Sequence, residues 1–433
     1  MARPKHDGLG WDDTGFESSP VWAREPALDA VAKVCREKLQ VDDSETCEVS
    51  FFAAGGFNKL YLAQTSLRKV LMRVSLPVYP HHKTRGEVTT LRFLRRTTDI
   101  PVPGVIAFDD TGNNEIGFEY ILMELLPGVS AYKKWRTLNT FQKVALVQRM
   151  AEIQAQVARH TFTEIGTLTI NDGETPQKEQ PGEMVSAFFF WGNHFDYQVN
   201  RGPFRSSHDW LASYIDVIIK DQAIAKDEAE DKEDEEDADF SLALARRLLD
   251  LLPGIFPSLQ NPAERSVIWH EDLSLSNILI DDLGNITGII DWECVSAMPL
   301  WLATKLPRFL EGPTREEEPN RQAYADENPE DRQVEGGSED DELDNEGKNE
   351  LYWIHLLEYE TTQLRRVYNT HMRQLRPDWD IEVQDNALKD DFIGAVFSCN
   401  QGVFLKRIAR WVDAVEKGEF PRFVDVLEQR LVA

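Results

Sequence analysis

The sequence predicts an α+β fold, a small antiparallel sheet with one main helix followed by a larger and mostly helical part. Residues 47–75 hold three short apolar runs, CEVSFFAA, KLYLAQ and VLMRVS, parted by the turns GGFN and SLRK, which is the pattern of an antiparallel meander. From about residue 140 the apolar residues recur at helical spacing instead. One exception interrupts that second regime: between 266 and 293 the runs SVIWH and NILIDDLGNITGIIDWE are of β type around a turn at 282–285.

In chain order, residues 1–46 form an N-terminal extension without an assignable motif. The first unit is expected over 47–126: after the meander come a helix, GEVTTLRFLRR at 86–96, and IPVPGVIAFDD, whose prolines lead an extended entry into another strand. EIGFEYILMEL at 115–125 adds a further arm and ends at the breaker LPG. The second unit is expected over 127–310, opening with the helix TFQKVALVQRMAEIQAQVARH at 140–160 and carrying an acidic insertion at 226–239. A second acidic insertion spans 311–350, and a helix pair near 351–374 and 401–431 closes the chain within 351–433.

An apolar content of 42% is ample for real cores. The greasiest runs, VSAFFFW at 185–191 and FIGAVF at 392–397, are far shorter than a membrane span needs. The four cysteines, Cys35, Cys47, Cys294 and Cys399, show no CxxC pairing, as expected of free thiols in the cytoplasm, and the N-terminal residues lack a secretory h-region. Of the net charge of −28, the two acidic tracts contribute −8 and −12. Both lack apolar periodicity and read as solvated, disordered spacers. With no Lys/Arg stripe, the chain is not expected to bind nucleic acid.

The chemistry concentrates in HEDLSLSN at 270–277. A carboxylate, Asp272, is followed five positions on by an amide, Asn277, then by a hairpin that exits at a second carboxylate, Asp291. A hairpin returns the chain to its start, so Asp291 lies close to Asn277. One amide and one carboxylate oxygen, completed by phosphate and water, suit Mg²⁺, which leaves Asp272 free to take an acceptor proton. Taken singly, Asp272 and Asn277 read equally well as turn residues. His270 has no second His or Cys at zinc spacing and reads as a structural brace. Upstream, Gly55 and Gly56 let backbone approach a polyphosphate or simply make a hairpin turn. Arg73 sits in an apolar strand and Glu87 in the following helix; they read as an inward cation with a counter-charge, or as a surface pair.

The run SVIWHEDLSLSNILIDDLGNITGIIDWE resembles the catalytic segment of the aminoglycoside phosphotransferase and choline kinase-like family, H-x-D-x-x-x-x-N, a hairpin, then I-D-[FW]. AAGGFNKLYLAQ, VLMRV, RGEVTTLRFLR, IPVPGVIAFDD and YILMELLPG are similar to that family's nucleotide lobe in its fungal form. The resemblance implies a protein kinase-like bilobal fold and transfer of the γ-phosphoryl group of ATP, with Mg²⁺, to a hydroxyl of a small molecule. It implies Asp272 as catalytic base and Asn277 and Asp291 as metal ligands. It places Gly55, Gly56, Phe57 and Asn58 over the phosphates, Arg73 where a lysine usually pairs with them, and Glu87 as its helical partner. The Glu124 carbonyl and Leu126 amide then meet the adenine edge. Two departures stand out: arginine for lysine at 73, and a carboxylate, Glu271, beside the base. A different class of function, a catalytically silent kinase-like binding or scaffold protein, accommodates Arg73. The acceptor is expected between 185–216 and 351–410, where Trp191, His194, Phe195, Asp196, Trp210, Trp353 and Tyr359 together supply aromatic and acidic surface, although any one of them reads more readily as core packing between helices.

Overall fold

The computed structural model describes residues 7–12, 14, 18–42, 44–170, 178–258, 263–327 and 345–428. The N-terminal residues, unassigned from sequence, form a hairpin, β1 (Leu9–Asp12) and β2 (Ser19–Trp22), and a helix, α1 (Leu28–Leu39). The predicted meander follows as β3 (Cys47–Ala54), β4 (Asn58–Thr65) and β5 (Lys69–Ser75). Helix α2 (His82–Thr97), β6 (Val105–Asp109) and β7 (Tyr120–Glu124) complete a five-stranded antiparallel sheet in the order β3-β4-β5-β7-β6.

Strand alternation divides the two faces of this sheet. Tyr61 and Ala63 of β4, Val70, Met72 and Val74 of β5, and Tyr120 and Leu122 of β7 are buried with Val31, Val34 and Cys35 of α1. The odd positions of β5 and β7 face the other way: Leu71, Ile121 and Met123 pack with Val88 of α2. Arg73 is in register with Ile121 and shares the parity of Leu71, so the pleat itself aims its side chain at α2 and the cleft.

After β8 (Val129–Ser130) and α3 (Ala131–Lys134), the long helix α4 (Thr140–Val157) opens on a capping box, Asn139 Oδ1 accepting from Gln142 N and Gln142 Oε1 from Asn139 N. Then come β9 (Thr161–Phe162), β10 (Gly166–Ile170), β11 (Glu179–Pro181), α5 (Ala187–Phe190), α6 (Ser207–Asp227) and α7 (Lys232–Ile255). Strands β12 (Ser266–Trp269), β13 (Ile278–Ile280), β14 (Ile286–Ile289) and β15 (Ser296–Pro299) follow. SVIWH does not pair with the hairpin after it; β12 joins a second sheet, β11-β10-β15-β12-β9, while β13 and β14 pair with β8. The second sheet lies against α2 so closely that a Cβ on Gly86 would sit 2.3 Å from Thr167 Cγ2, so any larger residue here would force Thr167 or the helix to shift.

The first acidic tract is solvated but not a spacer. Lys226 and Asp227 end α6, and residues 232–239 open α7. Asp231 Oδ1 accepts from the backbone amides of Glu233 and Asp234, both at 2.9 Å, and Glu233, Asp234 and Glu235 meet the positive end of the helix. The tract's charge thus starts the helix whose buried face begins at Ala238. In the second tract, Arg321–Ala323 form a short 3₁₀ turn and Asp326 bridges Lys348, with Nζ 2.6 Å from Oδ1. Residues 328–344 of that tract lie outside the described residues.

Among the described residues the expected closing helix pair is five helices. α8 (Glu350–Leu375) matches, but α9 (Trp379–Asp385) and α10 (Ala387–Asn400) follow it. The 401–431 segment breaks at Gly418, which has φ +81°, and at Pro421 into α11 (Leu405–Glu416) and α12 (Phe423–Glu428). No helix among the described residues is long and apolar enough to cross a membrane.

Candidate active site

The hairpin β13–β14 does what the sequence asked of it. Ile290 N donates to Asn277 O at 3.0 Å, which brings Asp291 beside the end of the HEDLSLSN loop. Asn277 Nδ2 in turn donates to Asp272 O at 2.9 Å and to Asp272 Oδ2 at 3.0 Å, so the amide braces both the backbone and the carboxylate of the aspartate. With Nδ2 committed there, the amide oxygen of Asn277 is the atom left for a cation. Asp291 has φ +65°, a left-handed conformation uncommon outside glycine and of the kind that gathers at functional sites. His270 is buried, donates Nε2–H to Ile290 O at 3.0 Å and packs edge-on against Trp292, bracing the loop as expected. Burial lowers its pKa, which keeps the ring neutral.

Across the cleft Arg73 meets three carboxylates. Nη1 lies 3.2 Å from Glu87 Oε1, and Nη2 lies 3.0 Å from Asp291 Oδ1 and 3.1 Å from Glu293 Oε2. Sequence reasoning missed two members of this cluster. Lys83, one helical turn before Glu87, is buried and places Nζ 2.7 Å from Glu293 Oε2 and 2.9 Å from Asn58 Oδ1. Glu293 follows Asp291 by two positions and also accepts from Asn58 Nδ2 at 2.7 Å. The available signals were the acid in DWE and the i, i+4 spacing of Lys83 and Glu87.

The two glutamates respond oppositely to this enclosure. Burial pushes Glu87 up to about 7, with Arg73 pulling against it. Burial pushes Glu293 up as well, but Lys83 and Arg73 together outweigh it and hold the carboxyl well below the ordinary range. Arg73 is desolvated, yet its three carboxylates keep it firmly charged.

The GGFN turn divides. Gly55 and Gly56 have open space where a side chain would stand, and Gly55 N donates to Asn58 O at 2.9 Å. Phe57 turns into an aromatic group, 5.2 Å from Phe190 and 6.1 Å from Trp191, while Asn58 is buried in the charge cluster. Glu124 ends β7, its carboxylate accepting from Arg95 Nη1 at 2.7 Å and from Gly104 N at 3.1 Å. Leu126 packs against Gly288 of the hairpin. The aromatic residues expected to wall an acceptor site do not form one surface. Trp210 is core between helices, His194 pairs with Asp221 at 2.7 Å, and Trp353 stacks on Arg136 with the guanidinium 4.0 Å from the ring.

A loop aspartate braced by an amide, a second aspartate returned by a hairpin, and a strand arginine paired to a helix glutamate, all between a small sheet and a helical part, define the class of kinase-like phosphotransferases. The chain belongs to the phosphotransferase enzyme family, whose model matches residues 48–302. It is 26% identical over 306 residues to a subtelomeric hrmA-associated cluster protein of Aspergillus fumigatus, covering 60% of each chain. It is 27% identical over 230 residues to clavilactone A biosynthesis cluster protein Y of Ampulloclitocybe clavipes, covering 53% of each. The chain thus spans three fifths or less of the length of these curated relatives. Among solved structures, ADP-bound aminoglycoside phosphotransferase APH(2'')-Ib aligns with a TM-score of 0.46 and 13% identity, over 92% of this chain and 99% of that one.

Proposed function

We propose that this protein is an ATP- and Mg²⁺-dependent phosphotransferase that moves the γ-phosphoryl group to a hydroxyl of a small molecule. The observation that carries the reading is one continuous chain of contacts, Asp272 to Asn277, Asn277 O to Ile290 N, and Asp291 to Arg73 to Glu87. Asp272 accepts the acceptor proton from its loop, held in orientation by Asn277. The amide oxygen of Asn277 and the carboxylate of Asp291 would hold Mg²⁺. Among the described residues no group of three or more His, Cys, Asp or Glu side chains could hold a metal alone. A partial set of this kind suits an ion whose remaining ligands are phosphate oxygens and water, and the bound ion supplies charge neutralisation at the phosphates. Gly55 and Gly56 bring backbone over the phosphates, Arg73 adds a cation, and the Glu124 carbonyl and Leu126 amide take the adenine edge. A biosynthesis-cluster protein among the relatives supports a small-molecule acceptor.

The test is ADP release from MgATP across a panel of hydroxylated metabolites and aminoglycosides. Asp272→Ala and Asp291→Ala are each expected to lower turnover at least ~10³-fold, because positioning and charge neutralisation do most of the work in such transfers. Near-wild-type turnover in Asp272→Ala sinks the assignment. One observation favours the scaffold reading: Arg73 already satisfies three carboxylates without a phosphate. Absence of thermal stabilisation by millimolar MgATP would favour that reading, since a ligand of the native state must raise its stability.

A further inference from the structure

Both oxygens of Asp272 are engaged. Oδ2 takes Asn277 Nδ2 at 3.0 Å, and the same Nδ2 holds the Asp272 carbonyl, so this oxygen is freed only by undoing the loop's own brace. Oδ1 takes Arg308 Nη1 at 2.9 Å. Arg308 opens a 3₁₀ turn, Arg308–Leu310, whose backbone is pinned to the loop by Phe309 N donating to Leu273 O at 3.1 Å. Leu310 is fully buried, and Arg365 Nη2 donates to the following Gly312 O at 2.8 Å. The root of Arg308 is therefore fixed relative to Asp272, whereas its side chain is 62% exposed. An exposed pair of this kind is weak and easily displaced.

Resting on the reading of Asp272 as the base, we propose that Arg308 is a positioning residue that occupies Asp272 Oδ1 until an acceptor hydroxyl displaces it, favouring the acceptor over water. The displaced guanidinium has alternative partners. Glu271 and Glu311 are exposed carboxylates, and the charges of Lys305 and Arg308 act on both. Lys305 is engaged with Asp390 at 2.7 Å, whereas neither glutamate has an ion pair of its own among the described residues. Glu271, the residue beside the base that the family pattern does not require, thereby gains a part in the cycle.

With Oδ1 unguarded, water can replace the acceptor. Its oxygen bonds to the γ-phosphorus as the bond from that phosphorus to the β–γ bridging oxygen breaks, its proton passes to Asp272 Oδ1, and ADP and inorganic phosphate leave.

The experiment measures inorganic phosphate release from MgATP by the full chain with no acceptor present. Arg308→Ala is expected to raise the rate about fivefold, the most that loss of one exposed pair provides, with KM for MgATP unchanged. Arg308→Lys, which keeps a donor on Oδ1, is expected to stay within about twofold of wild type. Adding Asp272→Asn to Arg308→Ala should cancel the rise. If MgATP raises the thermal midpoint of wild type and Arg308→Ala, yet hydrolysis is unchanged or lower in the variant, the guard is overturned and the phosphotransferase reading stands. If MgATP neither stabilises nor is hydrolysed by any variant, the reading of the site falls and the guard falls with it.

Discussion

Two aspartates flank the cleft, and each is met by an arginine at nearly the same distance, Asp291 by Arg73 at 3.0 Å and Asp272 by Arg308 at 2.9 Å. Burial separates them. The Arg73 side chain is 7% exposed and shared by three carboxylates, whereas that of Arg308 is 62% exposed and has one. Taking Arg73, Glu87 and Glu293 out of water is expensive, so removing the arginine strands two buried carboxylates at a cost of about 3–5 kcal/mol. The second pair is solvated and worth about 0.2–1 kcal/mol. The same contact is thus a fixed part of the architecture on one side of the cleft and a removable one on the other.

The sharpest way to break this contrast is Arg73→Ala. Glu87 and Glu293 would be left buried without their shared cation, and the unfolding free energy in a urea titration should fall by about 3–5 kcal/mol. A loss under about 1 kcal/mol would place the cluster on a par with a surface pair. A somewhat smaller effect comes from Glu87, whose carboxyl is raised from 4.5 to about 7 by burial, against the pull of Arg73. A raised carboxyl contributes stability that is complete below its unfolded pKa and lost as pH rises through the folded one. The unfolding free energy read from thermal melts should therefore decline as pH rises from about 4.5 to about 7, by up to ~3 kcal/mol, and Glu87→Gln should flatten that decline. A variant with the same slope as wild type would assign it to another group. The smallest effect is expected of Arg308→Ala, below about 1 kcal/mol at low salt and vanishing near ~1 M salt, read from the same melts.

Much of the first sheet was legible because local signals agree with the global pairing. The runs of β3, β4 and β5 alternate, their turns carry Gly, Asn and Ser, and parity alone turned Arg73 inward. The HEDLSLSN loop and the exit at Asp291 were legible for a similar reason, since a short hairpin closes locally. Lys83 and Glu293 were not, because nothing local distinguishes a buried ion from a solvated one; their burial exists only once α2 meets the end of β14. Apart from β12, read from SVIWH, the second sheet is assembled from strands of two to five residues paired across distant parts of the chain, too short for periodicity to register. The helix at 232–239 is a different matter. Its start signal, Asp231 ahead of three first-turn acids, was present in the sequence and was masked by the apparent uniformity of the charge run.

Gly86 joins these elements mechanically. Helix α2 carries both Lys83 and Glu87, packs on the first sheet, and at Gly86 fits against Thr167 with no room for a methyl group. A side chain larger than glycine at position 86 would therefore have to push α2 and Thr167 apart, and any shift of α2 would carry Lys83 and Glu87 of the charge cluster with it.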